Sequence, residues 1–131
     1  MSSHGVRKKV YIFLVLSIVW IFIIFIGCTL PPAKIPELKI PHFDKAAHFG
    51  FFFIQSVLLS LFFRYKTGKS NHLIIIFVTL LALVYGGCIE ILQSEFFNRT
   101  GDLYDLFADV LGGFSGAISY FFFANVLSKK V

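Results

Sequence analysis

The sequence predicts an all-α fold, a bundle of four transmembrane helices with both termini in the cytoplasm. Three observations predict it. Four apolar runs are each long enough to cross a bilayer, the connections between them are short, and the charges sit in those connections and the adjacent helix ends.

A bilayer core takes about 20 consecutive apolar residues in helical form. The first run spans residues 10–30 and stops at Pro31-Pro32. The second spans 45–63 and stops at the basic segment 64–69. The third spans 73–93, and the fourth 103–127. Connections this short make consecutive helices antiparallel neighbours. The connection 31–41 contains four prolines and reads as irregular. Residues 1–131 form a single membrane domain without an internal repeat.

Composition points the same way. Hydrophobic residues make up 57% of the chain and charged residues 15%, against about 45–50% and about 25% in soluble domains. The net charge of +5 does not mark a nucleic-acid binder, because the basic residues form no patch interleaved with aromatics. Cys28 and Cys88 lie inside apolar runs with no CxxC or Cys/His spacing, so they read as small buried hydrophobes and no zinc site is expected. No metal and no cofactor is assigned from sequence.

The first run has one rival reading. Arg7-Lys8-Lys9, the apolar stretch and Phe25-Ile26-Gly27-Cys28 resemble a lipoprotein signal. The stretch is longer than the about 7–15 residues of a signal core, and Phe25 is a poor residue three positions before a lipidated cysteine. It reads as a span.

The charges set the direction. The N-terminal tail, the middle connection and the C-terminus hold eight of the twelve basic residues: Arg7, Lys8, Lys9, Arg64, Lys66, Lys69, Lys129 and Lys130. They hold none of the seven acids. The other two connections and their helix ends hold Lys34, Lys39, Lys45 and Arg99, with Glu37, Asp44, Glu90, Glu95, Asp102, Asp105 and Asp109. The positive-inside bias assigns the basic regions to the cytoplasm.

Ionisable residues inside a span are costly and face a cavity or a partner. Asp44, His48, Phe51 and Gln55 share one face of the second helix. Gly86, Glu90 and Gln93 share one face of the third. Asp105, Asp109, Gly112, Gly116 and Ser119 share one face of the fourth. The charged members all lie toward the non-cytoplasmic end. The first helix offers only Ser17, Cys28 and Thr29, and is expected at the periphery. Gly112 and Gly116 form a GxxxG step, and Gly86-Gly87 lie at matching depth, so close packing of the third and fourth helices is expected to bring Glu90 toward Asp105 and Asp109. Asp102 fits a helix N-cap, whereas Asp109 lies too deep to be one. A self-satisfying salt-bridge network and a ligand site would put these residues in the same place, and both readings stay open.

The same residues carry a family resemblance. Asp44-Lys45-Ala46-Ala47-His48-Phe49 resembles the D-K-x-x-H-F signature of the VanZ-like family of bacterial multi-span membrane proteins. Glu90-Ile91-Leu92-Gln93 resembles its E-x-x-Q, and Arg99, Asp105-Leu106 and Asp109-Val110-Leu111-Gly112 resemble its R, D-(x3)-N, G block. The match covers about residues 44–116. One departure is Asp109, where the family often has Asn. The resemblance implies a multi-pass protein of the bacterial plasma membrane, and the family's namesake is associated with resistance to teicoplanin, a lipid-bearing glycopeptide.

Two functions follow, from different classes. In the first, Asp44, Lys45, His48, Glu90, Gln93, Arg99, Asp105 and Asp109 bind a membrane lipid, a lipid-linked cell-wall intermediate or a lipoglycopeptide, with Lys45 and Arg99 gripping an oxyanion. In the second, the chain is an enzyme on a lipid-linked substrate. His48, Glu90, Asp105 and Asp109 are its catalytic candidates, by acid–base chemistry or around a hard divalent cation. No P-loop, G-x-S-x-G or metalloprotease motif is present. The orientation is tested by cysteine labelling in intact cells. A cysteine at position 35 should react with an impermeant maleimide, and one at position 67 should react only after lysis. The reverse pattern refutes it.

Overall fold

The computed structural model describes residues 3–31, 40–68 and 71–128, with side chains in the last helix described to Ala124. Lys34, Glu37, Lys39, Lys69, Lys129 and Lys130, which enter the charge argument, lie outside the described residues. Four helices follow in order: α1 Ser3–Thr29, α2 Phe43–Thr67, α3 Asn71–Phe96 and α4 Leu103–Ser128. All four are long and apolar enough to cross a membrane. Their exposed residues are largely aliphatic and aromatic, as on Tyr11, Phe22, Val84, Ile91, Phe107 and Phe123. Such a surface faces lipid at no cost and would be untenable in water.

The helices outrun the apolar runs. α1 begins before Arg7-Lys8-Lys9, and α2 continues through Arg64 and Lys66. Long basic side chains keep their stems on apolar surface while the charge reaches water, so hydrocarbon thickness does not end a helix. Backbone geometry does. Gly68 sits at φ 61° and donates its N–H to the Arg64 carbonyl, closing α2 in the left-handed conformation that glycine adopts without strain.

α2 and α4 form the closest pair. A Cβ on Gly112 would strike the carbonyl of Phe49, and one on Gly116 the carbonyl of Phe53. The GxxxG step therefore seats α4 on α2, where the sequence suggested α3. Successive small residues point to different neighbours: Gly113, one position on, faces Ala82 of α3 and Ser56 of α2. α3 meets α4 at Gly86, where a Cβ would lie 2.7 Å from Asp109 Oδ2. Glu90 does approach Asp109, but Gly86 brings it there.

α1 packs on α2 and α3 and, among the described residues, makes no contact with α4. Directional bonds hold it. Trp20 Nε1 donates to the Phe51 carbonyl at 2.9 Å, and Tyr85 Oη to the Ile21 carbonyl at 2.8 Å. Phe51 thus turns toward α1, away from the stripe assigned to it, and closes on Gly27. Phe52 takes the buried place.

Overpacking a helix contact costs about 1–3 kcal/mol. Gly112→Ala should lower the thermal midpoint in detergent. Gly87→Ala, where a Cβ meets nothing within 4 Å, should leave it level or raise it. Equal midpoints for both variants would contradict the α2–α4 contact.

Candidate functional site

The C-terminal ends of α1 and α3 and the N-terminal ends of α2 and α4 come together at one end of the bundle. Asp44 lies in the first turn of α2, and Asp105 in the first turn of α4. Helix N-termini favour such anions. His48, Glu90 and Asp109 lie five to six residues inside their helices, about 7.5–9 Å along the axis at 1.5 Å per residue. All three are therefore at matching depth.

The rim consists of paired ions. Lys45 Nζ donates to Asp102 Oδ2 at 2.8 Å and to Asp105 Oδ1 at 3.1 Å. Arg99 donates through one guanidinium nitrogen to Asp44 Oδ1 at 3.1 Å and through another to the Cys28 carbonyl at 2.9 Å. That carbonyl also accepts from Gln93 Nε2 at 2.6 Å. The last carbonyls of a helix have no partner within it, and here two residues from other elements supply one. α1, expected at the periphery, instead places Ile24 and Cys28 in the buried core and contributes a backbone acceptor to the site. Both cations expected to grip an external anion are instead engaged by the protein's own acceptors.

Asp102 has two roles. Its carboxylate accepts the Tyr104 N–H at 2.8 Å, capping α4, and its own N–H donates to Glu90 Oε2 at 2.7 Å. Two residues in left-handed conformations shape the approach, His42 at φ 59° before α2 and Asn98 at φ 51° after α3. Asn tolerates that region. It turns the chain so that the Arg99 N–H donates back to the Gln93 carbonyl at 3.1 Å, bringing the guanidinium over the bundle end.

Beneath the rim lies a buried centre. His48 is 2% exposed, Asp109 0% and Glu90 9%. His48 Nδ1 and Asp109 Oδ1 are 2.9 Å apart, within hydrogen-bonding distance. Each of the three residues has one buried atom without a hydrogen-bond partner among the described residues: His48 Nε2, Glu90 Oε1 and Asp109 Oδ2. Asp105, 3% exposed, brings a donor within 4.8 Å of donors from His48 and Asp44. The sequence-predicted residues Asp44, Lys45, His48, Glu90, Gln93, Arg99, Asp105 and Asp109 thus all gather at this end. Sequence reasoning missed Cys28 as a backbone acceptor and Asn98 as the turn. A carbonyl carries no side-chain signal, but the Asn-Arg dipeptide after an apolar helix was available as a turn signal.

Deeper in the bundle, a cavity of about 280 Å³ opens between α1, α2 and α3, walled by Ile21, Phe52, Leu59 and Tyr85, with Gln55 on its edge. Gln55 is buried and, among the described residues, its amide has no partner.

No family model matches the chain, and no solved structure matches it. The chain is similar to an uncharacterized protein of Schizosaccharomyces pombe, with 34% identity over 110 residues. The match covers 82% of this chain and 60% of that one, so the chain spans about 60% of the length of the relative.

Lys45 foremost, together with the Tyr104 amide, holds the Asp102 carboxyl below the usual carboxylate range. A carboxylate depressed in the fold stabilises it above the unfolded pKa of about 3.9, and that contribution fades as pH falls through the lower folded value. Asp102→Asn should therefore lower the melting temperature at pH 7. Its deficit relative to wild type should shrink below about pH 4. A deficit that is constant from pH 7 to pH 3 would remove the ion pair from the explanation.

Proposed function

We propose that this chain is a VanZ-like protein of the bacterial plasma membrane, with both termini in the cytoplasm. In this reading it engages a lipid-linked or lipid-bearing molecule of the cell envelope at the outer membrane surface and contributes to resistance against glycopeptides of the teicoplanin type. The observation that carries it is the combination of a polar rim at one bundle end with an apolar cavity one to two helical turns below. An amphiphile has the same two halves.

The rim sets the preferred head group. Lys45 and Arg99 are occupied, while Asp44 is half exposed and Asp102 about a third exposed. A head group rich in hydroxyls or amines finds acceptors there, and a bare phosphate competes with carboxylates for the two cations. The ordered D-K-x-x-H-F, E-x-x-Q and R…D…G residues support the family assignment. The similar protein comes from a yeast, so a reading confined to bacterial envelopes is narrower than that similarity, and the head-group chemistry is the part that extends to both.

A second reading, an enzyme acting on the same kind of lipid, is favoured by one observation. The buried His48–Asp109 pair has the geometry of a base oriented by a carboxylate.

The test is lipid mass spectrometry on the detergent-purified protein, with wild type, His48→Gln and Arg99→Lys compared at matched thermal stability. Wild type should retain an amphiphile enriched over the bulk membrane extract, and both variants should lose most of that enrichment. A wild-type lipid profile identical to the bulk membrane overturns the binding reading. A chemically altered lipid released by wild type but not by His48→Gln favours the enzyme.

A further inference from the structure

We propose that His48, Glu90 and Asp109 form a binding site for one divalent transition cation of the zinc or manganese class. The site shares His48, Glu90 and Asp109 with the residues of the amphiphile reading but does not rest on that reading, because metal uptake is argued from the buried centre alone.

The geometry comes first. One donor atom from each residue lies within 4.8 Å of the others. Ligand bonds of about 2.0–2.2 Å put neighbouring donors about 3.4 Å apart in a tetrahedral site, so a small closure completes the set. Three helices supply the three ligands, each held in place by its own packing.

Unmet valence comes second. His48 Nε2, Glu90 Oε1 and Asp109 Oδ2 have no partner among the described residues, and all three side chains are at least nine-tenths buried. Buried polar groups are paired in nearly every native structure. Three orphans on three adjoining residues point to a shared partner.

Charge comes third. Lys45 is engaged by Asp102 and Asp105, and Arg99 by Asp44. Among the described residues at this end of the bundle, no cation remains for Glu90 and Asp109 except His48 itself. Two ionised carboxylates in an apolar interior are prohibitively costly when unpaired. A divalent ion with a neutral imidazole neutralises both. The neighbouring trio of Asp44, His48 and Asp105 also gathers donors within 4.8 Å, but its carboxylates already hold Lys45 and Arg99.

The donor types select the ion. An imidazole with two carboxylates suits zinc, manganese or ferrous iron, whereas calcium and magnesium take oxygen alone. The surroundings resemble those of metal ligands. The Asp102 N–H fixes Glu90 Oε2 and leaves Oε1 free, an outer contact of the kind that orients ligands. Gly86 gives the Asp109 carboxylate its room, since a Cβ there would lie 2.7 Å from Oδ2.

The test uses the full chain in detergent, stripped with chelator and titrated with ZnCl₂ or MnCl₂ alone. Wild type should take up one ion per chain and gain thermal stability, with MgCl₂ and CaCl₂ far weaker. Glu90→Gln and Asp109→Asn should each lower affinity at least about tenfold. Gly86→Ala, which removes no ligand, should also weaken it. Glu95→Gln, on an exposed residue of the same helix end, should not. For Mn²⁺, nitrogen modulation in the spin-echo spectrum should survive when the three exposed histidines His4, His42 and His72 are all replaced by Gln, which identifies His48 without altering it. The proposal fails if wild type binds neither Zn²⁺ nor Mn²⁺ stoichiometrically, if the nitrogen modulation disappears in the triple variant, or if folded Glu90→Gln and Asp109→Asn bind as wild type does.

Discussion

The close approach of α2 to α4 governs the rest of the molecule. With no side chain at Gly112 and Gly116, the α4 backbone rests against the Phe49 and Phe53 carbonyls. That contact sets the register. His48, next to Phe49, then lies opposite Asp109, and Lys45, one turn earlier, lies opposite Asp105 and Asp102. Helix association in lipid has no hydrophobic drive and depends on close packing and on polar bonds between helices. Here the packing brings about the polar bonds: two glycines one and two turns beyond Asp109 along α4 decide which charges meet at the polar end.

The polar end then divides by solvent access. The outer ions, Lys45 with Asp102 and Arg99 with Asp44, remain partly exposed and pair with one another. The inner residues are buried and, among the described residues, incompletely matched. A structure that only had to hold four helices together would need less. Tyr85, Trp20 and Gln93 join α1 to its neighbours through neutral hydrogen bonds to backbone carbonyls, at far smaller desolvation cost than a buried carboxylate.

Much of this was legible in the sequence. In an apolar chain each ionisable residue inside a span stands out, and the 3.6-residue period assigns it to a face. The period therefore groups Asp44, His48, Glu90, Gln93, Asp105 and Asp109 at one end of the bundle. The period of one helix does not say which neighbour that face meets. Gly112 and Gly116 were therefore attributed to α3 although they contact α2, and Phe51 was placed on the polar stripe although it faces Trp20 and Gly27. Backbone acceptors such as the Cys28 carbonyl carry no residue-type signal.

The bonds to the Cys28 carbonyl bear on how the chain is assembled. α1 is made before the other three helices and packs chiefly on α2, yet three of its hydrogen bonds come from far downstream: Tyr85 and Gln93 lie in α3, and Arg99 lies beyond it. Until those segments are made, α1 has α2 to dock against, through Trp20, the Phe13–Tyr65 stack and Gly27 on Phe51. The last carbonyls of α1 must wait at the membrane surface, satisfied by water, until the turn at Asn98 delivers the guanidinium. The side-by-side packing of α1 and α2 thus needs only the first half of the chain, whereas the end of α1 is capped by residues in and beyond α3.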